Sequence, residues 1–306
     1  MATMKTLNGY GFNATELNGK TSDNYLLITD TAPDSSKLGG KAPEYYIQPR
    51  NLLDNSDFSN PINQRGISGD YQYFSNAYTI DRWKLDNRTG GQAGIKLSEI
   101  GVVISNSSNY SEFTQYVIAD TGKQYTLAVG TGDGVKILSG VPSANPESQF
   151  LKMKLSTQGY VKCYIIIPSS EITLHWAALY EGSYTADTLP PYVPKGYAAE
   201  LAECQRYFLH DVGKFNPVIF TNTSVAITSI NTPSTMRIVP TVQMLTTDNI
   251  VMNISGAGKI VAVSGASVNM MNGNSVVVNI SCNAENIPIY APGSTFLTAF
   301  NLSADL

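Results

Sequence analysis

Charged residues are scarce in this sequence of 306 residues. They make up 14% of the chain, whereas about a quarter is usual for a globular protein. The 20 lysines and arginines and the 24 acids leave a mild net charge of −4, and no basic run occurs, so we expect no nucleic-acid partner. Low charge together with 18 tyrosines and 25 glycines favours β-rich surfaces and subunit interfaces over a helical cytosolic enzyme.

Cysteine is also scarce, and long apolar runs are missing. Cys163, Cys204 and Cys282 are odd in number and far apart, which excludes a disulfide framework and a zinc knuckle. We therefore expect buried thiols in a protein assembled in a reducing cytoplasm. The N-terminal residues lack the apolar segment of a secretory signal. No run approaches the ~20 apolar residues of a membrane span, so no membrane insertion is predicted.

Catalytic signatures are missing as well. The two histidines, His175 and His210, are not in a metal-ligand spacing, and no phosphate-binding loop, nucleophile elbow or dinucleotide fingerprint occurs. The chain is therefore predicted not to be an enzyme. A glycosidase would need two carboxylates that flank the sugar bond. The sequence does not show which acids could pair in space, and the candidates are Asp54, Asp57, Asp70, Asp81, Asp86, Glu99 and Glu112.

Residues 1–50 contain a short internal repeat. Residues 16–20 read ELNGK and residues 37–41 read KLGGK, at a spacing of 21 residues. Each copy has too few apolar residues to bury a core alone. Either three chains wrap around one another in this segment, or it is a flexible leader.

Residues 51–195 have the pattern of an all-β sandwich of the jelly-roll type, because short apolar segments are separated by turn residues. The predicted strands are 95–98, 102–106, 112–119, 124–130, 135–138, 150–155, 160–168 and 172–180. In the last strand, the period of two places Leu174 and Trp176 on one face and His175 and Ala177 on the other.

A short hinge helix is predicted over residues 196–208. A proline-rich extended connection precedes it, since proline cannot continue a strand ladder or enter a helix interior. Tyr197, Leu201, Cys204 and Phe208 then fall at the spacing of one helix face. A helix this short is unstable alone in water, so we expect this face to pack against a neighbouring domain.

Residues 209–306 form a second predicted β-sandwich, a charge-poor tip domain. Its predicted strands are 218–220, 225–230, 236–238, 241–245, 249–254, 259–263, 276–282 and 296–302. The dipeptide Asn272-Gly273 is a strong hairpin signal. A domain with so few charges suits an oligomeric knob whose sheet edges are covered by neighbouring subunits.

Three motifs in this order resemble the tail fibre and receptor-binding proteins of bacteriophages and prophages. The first is NLLDNSDFSNPINQRG (51–66) with YTIDRW (78–83). The others are a strand ending in EG (181–182) followed by a proline-rich segment and ELAECQRYF (200–208), and PSTMRIVPT (233–241). The order of FTQ (113–115), YTL (125–127) and the final EG also resembles carbohydrate-binding jelly rolls.

The resemblance implies a homotrimer in the virion, joined to other tail or baseplate proteins through its N-terminal segment. It implies attachment of the phage tail to host-surface glycans, with affinity raised by multivalent binding. Two alternatives remain open. One is a tail-associated polysaccharide depolymerase, and the other is a structural tail spacer that carries a separate adhesin.

The predicted glycan site is an aromatic loop. Tyr71, Tyr73 and Tyr78 lie close in sequence to Arg82 and Trp83. Flat rings stack on sugar faces, and the polar neighbours can bind hydroxyl groups. Burial in the core is the alternative for Tyr78 and Trp83, because large aromatic residues dominate β-sandwich packing.

Asp54 and Asp57 are the predicted metal ligands. They offer hard oxygen atoms in a short segment, so they either hold a structural calcium ion or cap turns. No other cofactor is predicted.

Receptor contacts are predicted on loops of the tip domain, because loops carry recognition on a rigid scaffold. The candidates are Gly256, Lys259, Asn272 and Asn274. Arg237 matches the MRxxPT pattern of the resembling family, and we expect it to be buried against an acid or carbonyl groups.

Overall fold

The computed structural model describes residues 16–17, 20–21, 49–88, 92–106, 110–147, 149–156, 159–213, 216–222, 224–245, 252–253, 263–283, 295–296 and 300–305. The chain divides into two compact units, Met1–Pro49 with Asp187–Pro191 and Arg50–Ala186 with Tyr192–Leu306. In the first unit, β1 (Glu16–Leu17) and β2 (Lys20–Thr21) pair antiparallel. The rest of the predicted repeat lies outside the described residues.

A β-sandwich occupies much of the second unit, as predicted, and its strands pair antiparallel. The larger sheet has the strand order β10-β9-β13-β7-β6-β3. It contains β3 (Gln72–Phe74), β6 (Ala93–Ser98), β7 (Gly101–Asn106), β9 (Tyr125–Thr131), β10 (Gly134–Gly140) and β13 (Glu171–Glu181). The smaller sheet has the order β11-β12-β8-β5-β4. It contains β4 (Asn76–Tyr78), β5 (Lys84–Asn87), β8 (Ser111–Val117), β11 (Leu151–Leu155) and β12 (Val161–Ile167).

The strands predicted between residues 95 and 180 are all present, with ends shifted by no more than about two residues. The short strands β3, β4 and β5 are additional. They have three or four residues each, too few for a period of two to stand out in the sequence.

Apolar side chains from both sheets form the sandwich core. Leu127 and Leu179 come from the larger sheet and Phe113 and Ile165 from the smaller, and all four are completely buried. Full burial of such a side chain stabilises the fold by about 1.5–3 kcal/mol. The core therefore holds the two sheets together.

Strand β13 contains a β-bulge at His175. Its register with β9 shifts between Leu174 and Trp176, and Leu174 joins Ala177 and Leu179 in the sandwich core. The predicted faces of this strand are therefore wrong, because the extra residue of a bulge reverses the alternation of side chains.

The segment that carries the first motif is held by buried asparagine side chains. Asn51 Nδ2 donates to the Ala177 carbonyl (3.0 Å), and Asn51 Oδ1 accepts from the Leu179 N–H (2.9 Å). Asn55 adopts a φ of 51° and donates from Nδ2 to the Asp81 carbonyl (2.7 Å). These bonds replace a regular strand ladder. The motif therefore has an architectural role.

The helix α1 (Tyr197–Cys204) is the one α-helix among the described residues, and it lies within the predicted range. Phe208 belongs to the next strand. The predicted apolar face is wrong in part, since Tyr197 is 54% exposed whereas Glu200 is buried. The Glu200 carboxylate accepts a hydrogen bond from the Asn55 N–H. No helix in the described part of the chain is long and apolar enough to cross a membrane.

The C-terminal region forms a second apolar core from two further sheets, with strand orders β15-β16-β20-β19 and β14-β22-β17. The strands are β14 (Phe208–Val212), β15 (Val218–Phe220), β16 (Val225–Asn231), β17 (Thr241–Met244), β19 (Val263–Asn272), β20 (Ser275–Cys282) and β22 (Phe300–Ser303). A separate antiparallel pair consists of β18 (Met252–Asn253) and β21 (Thr295–Phe296). The fold is therefore all-β, as predicted.

The predicted hairpin at Asn272 is confirmed. Asn272 pairs with Ser275 across the turn between β19 and β20, and Gly273 has a φ of 57°. The strand predicted at 236–238 is wrong, because this segment is irregular. Most of the strands predicted at 249–254 and 259–263 lie outside the described residues.

Arg237 packs on aromatic rings in place of the predicted acid or carbonyl groups. Its guanidinium lies 4.7 Å from the Tyr160 ring centroid and 5.7 Å from that of Tyr207. Among the described residues it forms no ion pair. Cation–π attraction therefore supplies the contact that was expected from a carboxylate.

Arg65 joins the sandwich to the C-terminal sheets. Its guanidinium pairs with Asp305, lies 3.5 Å from Asp81 Oδ1 through Nε, and stacks 3.7 Å above the Phe208 ring. Burial raises the pKa of Asp81 to about 6, although hydrogen bonds from Gln64 and the charge of Arg65 oppose the shift. A titratable acid is therefore buried at the junction.

The cysteine prediction is confirmed for structure. Cys163, Cys204 and Cys282 are free and buried. Burial raises the pKa of all three thiols, that of Cys163 to about 12. These thiols are therefore protonated at neutral pH.

We expect the Asp81→Asn variant to lose part of the pH dependence of folding stability. The pKa of Asp81 rises from 3.8 to about 6 in the folded state, so its contribution to stability is complete below about pH 4 and is lost as the pH rises to about 6. A shift of this size corresponds to at most about 3 kcal/mol. Urea midpoints measured from pH 4 to 7 should fall less in the variant. The control is Asp133→Asn in an exposed turn, which should keep the wild-type slope.

Candidate functional site

Trp83 is completely buried in the sandwich core, so the prediction that it contacts a glycan is wrong and the core alternative is correct. Its ring stacks on Phe113 with centroids 4.8 Å apart and meets the edge of Phe58 at 5.1 Å. The indole Nε1–H donates to the Asn55 carbonyl (2.8 Å). A buried indole with a satisfied N–H is a core anchor.

Arg82 is also removed from the predicted site, because it is 2% exposed. Its Nε donates to Asp54 Oδ2 (3.1 Å) and its Nη2 to the Tyr116 carbonyl (2.8 Å). The guanidinium lies 3.4 Å above the Tyr207 ring. These contacts make Arg82 a structural link between the sandwich and the segment after α1.

Tyr78, another member of the predicted site, is half-buried, and burial raises the pKa of its hydroxyl.

Tyr71 and Tyr73 are the members of the predicted site that reach the surface. Tyr73 is 59% exposed, and the two rings lie 6.2 Å apart, over Gly94 of β6. Lys96 Nζ lies 4.4 Å from the Tyr71 ring, and the Tyr71 hydroxyl donates to Glu171. Burial and the Glu171 carboxylate raise the pKa of Tyr71 to about 12. This pair remains a candidate for ligand contact.

An internal ion network occupies the predicted calcium region. Lys195 Nζ lies 2.5 Å from Glu203, 3.3 Å from Asp54 and 3.8 Å from Glu200. The carboxylate oxygens lie within 4.8 Å of one another, a spacing that could hold a metal ion. Burial would raise the pKa of Asp54, but the charges of Arg82 and Lys195 outweigh it and lower the pKa. The lysine ammonium therefore supplies the positive charge that these acids need.

Asp57 has different partners from Asp54. Its Oδ1 accepts hydrogen bonds from the N–H (3.2 Å) and the hydroxyl (2.5 Å) of Ser59. This is the turn-capping arrangement, which was the alternative to calcium binding. The structure therefore places Asp54 in an ion network and Asp57 at a turn.

The predicted receptor loops are only partly described. Gly256 and Lys259 lie outside the described residues. Asn272 and Asn274 flank the turn between β19 and β20 and are exposed. The Asn274 carbonyl accepts a hydrogen bond from the Thr232 N–H (2.7 Å). Asn274 therefore anchors a neighbouring loop, and Asn272 stays a surface candidate.

An open groove beside β13 brings together side chains that the sequence pattern does not group. The groove has a volume of about 540 Å³, within the range of small-molecule sites. The turn between β6 and β7, the bulge of β13 and two flanking segments form its walls. We call it the aromatic groove, and its lining residues are Asp57, Ser59, Glu99, Ile100, His175, Trp176, Tyr192 and Pro194.

The Trp176 and Tyr192 rings form the centre of the aromatic groove. They stack in parallel, with centroids 4.8 Å apart and planes inclined by 7°. Trp176 bridges to Asp57 through the backbone and covers Gly130, where a Cβ atom would lie 2.3 Å from the indole Nε1. The Tyr192 hydroxyl lies 3.4 Å from Ser56 Oγ. These contacts hold the two rings as a rigid platform.

His175, the bulge residue, is fixed at the rim of the aromatic groove. Its Nδ1 lies 2.6 Å from the Ile100 carbonyl. A carbonyl oxygen only accepts, so Nδ1 carries the hydrogen and the neutral ring keeps Nε2 as an acceptor. The rim therefore offers an imidazole together with the carboxylates of Asp57 and Glu99.

These groups suit a ligand with many hydroxyl groups. Aromatic faces pack against the C–H groups of a sugar ring by dispersion, and carboxylate and imidazole acceptors bind hydroxyl hydrogens. Among the described residues, no three His, Cys, Asp or Glu side chains of the groove converge within 4.8 Å.

Trp176 and Tyr192 were not predicted as site residues. The sequence pattern of β13 does not single out Trp176, because a bulge has no sequence signature in this strand. A usable signal exists for Tyr192, which is the only aromatic residue in the rigid segment PPYVP (190–194). An extended proline-rich backbone can hold such a ring against a neighbouring surface.

A search against protein-family models finds no match for this chain, and neither does a search of curated proteins. A functional assignment therefore depends on the aromatic groove and on the motif resemblance described above.

We expect Gly130→Ala to displace the Trp176 ring. The new Cβ would lie 2.3 Å from the indole Nε1, closer than any ordinary contact, and such overpacking typically costs about 1–3 kcal/mol. Tryptophan fluorescence and near-UV circular dichroism should both change, and the unfolding midpoint should fall. The matched control is Gly132→Ala, because a Cβ there meets nothing within 4 Å. Equal behaviour of the two variants would contradict the observed position of the ring.

Proposed function

We propose that this chain is a receptor-binding protein of a phage tail, which attaches the virion to host-surface glycans through the aromatic groove. The observation that carries the proposal is the parallel Trp176–Tyr192 platform with the carboxylates of Asp57 and Glu99 at its rim. The motif resemblance supports the phage assignment and the jelly-roll type of sandwich.

The mechanism is recognition without a change of covalent bonds. A sugar ring lies against the aromatic platform, while its hydroxyl groups donate to Asp57, Glu99 and the Nε2 atom of His175. Stacking of this kind contributes about 0.5–1.5 kcal/mol, so a single site binds weakly. Linked copies of the site raise the overall affinity through effective concentration.

A homotrimer would supply these copies, with the N-terminal segment joining the tail. The outer face of the β15-β16-β20-β19 sheet supports self-association, because it lacks charged residues and exposes Ile219 (45%) and Met270 (56%). Burial of such residues between subunits would be favourable. We expect a native mass of three times 33.1 kDa by light scattering. A monomeric mass at micromolar concentration would exclude the multivalent mechanism.

Trp176→Ala tests the groove directly. We expect binding of the purified chain to host cells and to a glycan array to weaken by up to about tenfold for each site, since the stacking surface is lost. Tyr197→Ala is the matched control, because Tyr197 is an exposed aromatic residue on α1. Tyr197→Ala should keep the wild-type unfolding midpoint. Trp176→Ala should still unfold cooperatively but at a lower midpoint, because the indole packs on Gly130 and Tyr192, so binding is measured well below that midpoint.

Tyr73→Ala is the competing variant in the same assay. If it abolishes binding while Trp176→Ala does not, the ligand binds at the Tyr71–Tyr73 pair and the groove is excluded. If no variant and no wild-type protein binds any host cell or glycan, the receptor-binding function itself is excluded.

A depolymerase is the second candidate, and one observation favours it. Asp57 and Glu99 line the same groove, and glycoside hydrolysis uses two carboxylates placed on either side of the sugar bond. Release of reducing sugar ends from host polysaccharide, abolished by both Asp57→Asn and Glu99→Gln, would establish this activity. Binding without such release would support the receptor-binding proposal.

A further inference from the structure

The outer face of the five-stranded sheet carries a regular arrangement of lysine and tyrosine side chains. The strand register places Lys162 opposite Tyr116 on one side and opposite Lys154 on the other. Side chains alternate along a strand, so these residues point away from the core that contains Phe113 and Ile165. We call this surface the lysine–tyrosine face, and its members are Lys84, Tyr116, Lys154, Lys162 and Tyr164.

The Lys162 side chain lies between two tyrosine rings of this face. Lys162 Nζ is 4.6 Å from the Tyr164 ring centroid and 5.1 Å from that of Tyr116. Cation–π attraction and packing of the aliphatic stem fix its position. Burial lowers the pKa of Lys162, because its ammonium is incompletely hydrated. A bound anion would replace the missing hydration.

The face is positive on a chain whose net charge is −4. Its two acids already have partners, since Glu112 lies 3.3 Å from Lys152 and 3.4 Å from Arg88, and Asp86 lies 3.4 Å from Arg88. Arg88 and Lys152 at the margin of the face and its three lysines make five cations, which with two acids leave a local charge of +3. The cations that form no ion pair with any described residue are Lys84, Lys154 and Lys162.

We propose that the lysine–tyrosine face binds an acidic polysaccharide. Carboxylate groups of the polymer pair with Lys154 and Lys162, and the sugar rings between them lie against Tyr116. The aromatic groove belongs to the six-stranded sheet, so the two sites are separate. The inference extends the proposed function by naming an anionic ligand class, and either proposal can fail while the other holds.

The arrangement favours an acidic polysaccharide over a nucleic acid. A nucleic-acid backbone carries a charge at every nucleotide, and it would bring phosphates close to Asp86 and Glu112. A polysaccharide with carboxylates on only some of its sugars can place hydroxyl donors near Asp86 and anions at the lysines. The Tyr164 ring is also nearly buried, at 8% exposure, and offers little surface for base stacking.

Hyaluronate, which carries a carboxylate on every second sugar, is the acidic probe. Neutral dextran is the uncharged probe, and a single-stranded DNA oligonucleotide is the phosphate probe. We expect the full-length wild-type chain to bind hyaluronate at low ionic strength, to release it in about 1 M salt, where screening extends only ~3 Å, and to bind the others more weakly. Lys154→Gln/Lys162→Gln should weaken this binding about fourfold, since each exposed ion pair contributes a factor of about two.

The matched control is Lys123→Gln/Lys136→Gln, which changes the net charge by the same amount as the test variant. Lys136 lies in strand β10 and Lys123 in the turn before β9, both outside the lysine–tyrosine face. Control and Trp176→Ala variants should both bind hyaluronate like the wild type. Equal loss in both lysine variants would overturn the proposal, because overall charge would then explain the binding. So would oligonucleotide binding as tight as that of hyaluronate, or no binding by the wild type. The single variant Lys154→Gln changes an exposed side chain, so it should fold like the wild type. It should bind with about half of the wild-type affinity, and such a loss cannot be caused by misfolding.

Discussion

The ammonium group of Lys195 is the contact on which the arrangement of the chain depends. It joins Asp54 of the first motif to Glu200 and Glu203 of α1. Charges removed from water stabilise a fold only when each keeps its partner, and loss of one partner typically costs about 3–5 kcal/mol. The same lysine lies three residues after Tyr192, so the ion network also positions the ring that stacks on Trp176. The Lys195 ion network therefore contributes both to the stability of the fold and to the position of Tyr192 in the aromatic groove.

Much of the fold follows from the period of two and from turn residues. The sandwich strands between residues 95 and 180 and the hairpin at Asn272 are readable in this way, because half-buried strands must alternate. The bulge at His175 is not readable, since one inserted residue reverses every face after it without a change in composition. The burial of Glu200 is also not predictable from the sequence. Its burial depends on Lys195 and Asn55, and Asn55 is distant in sequence.

The candidate site shows where sequence reasoning stops. The sequence groups the aromatic residues near Trp83 into one loop site, but it does not tell a core ring from a surface ring, and Trp83 lies in the core. Tyr73 has an exposed ring at the surface, and Tyr71 lies beside it. The Trp176–Tyr192 stack joins residues from a strand and from a proline-rich segment, and Gly130 makes room for it. Such a three-way contact exists only after folding.

The buried cysteines have a consequence for the chain outside a cell. Oxidants and disulfides react with thiolates, and Cys163, Cys204 and Cys282 are both shielded from solvent and held as thiols by their raised pKa values. Oxygenated water therefore has no ready point of attack on the cysteine sulfur atoms. The fold itself keeps these thiols reduced, with neither a reductant nor disulfide bonds.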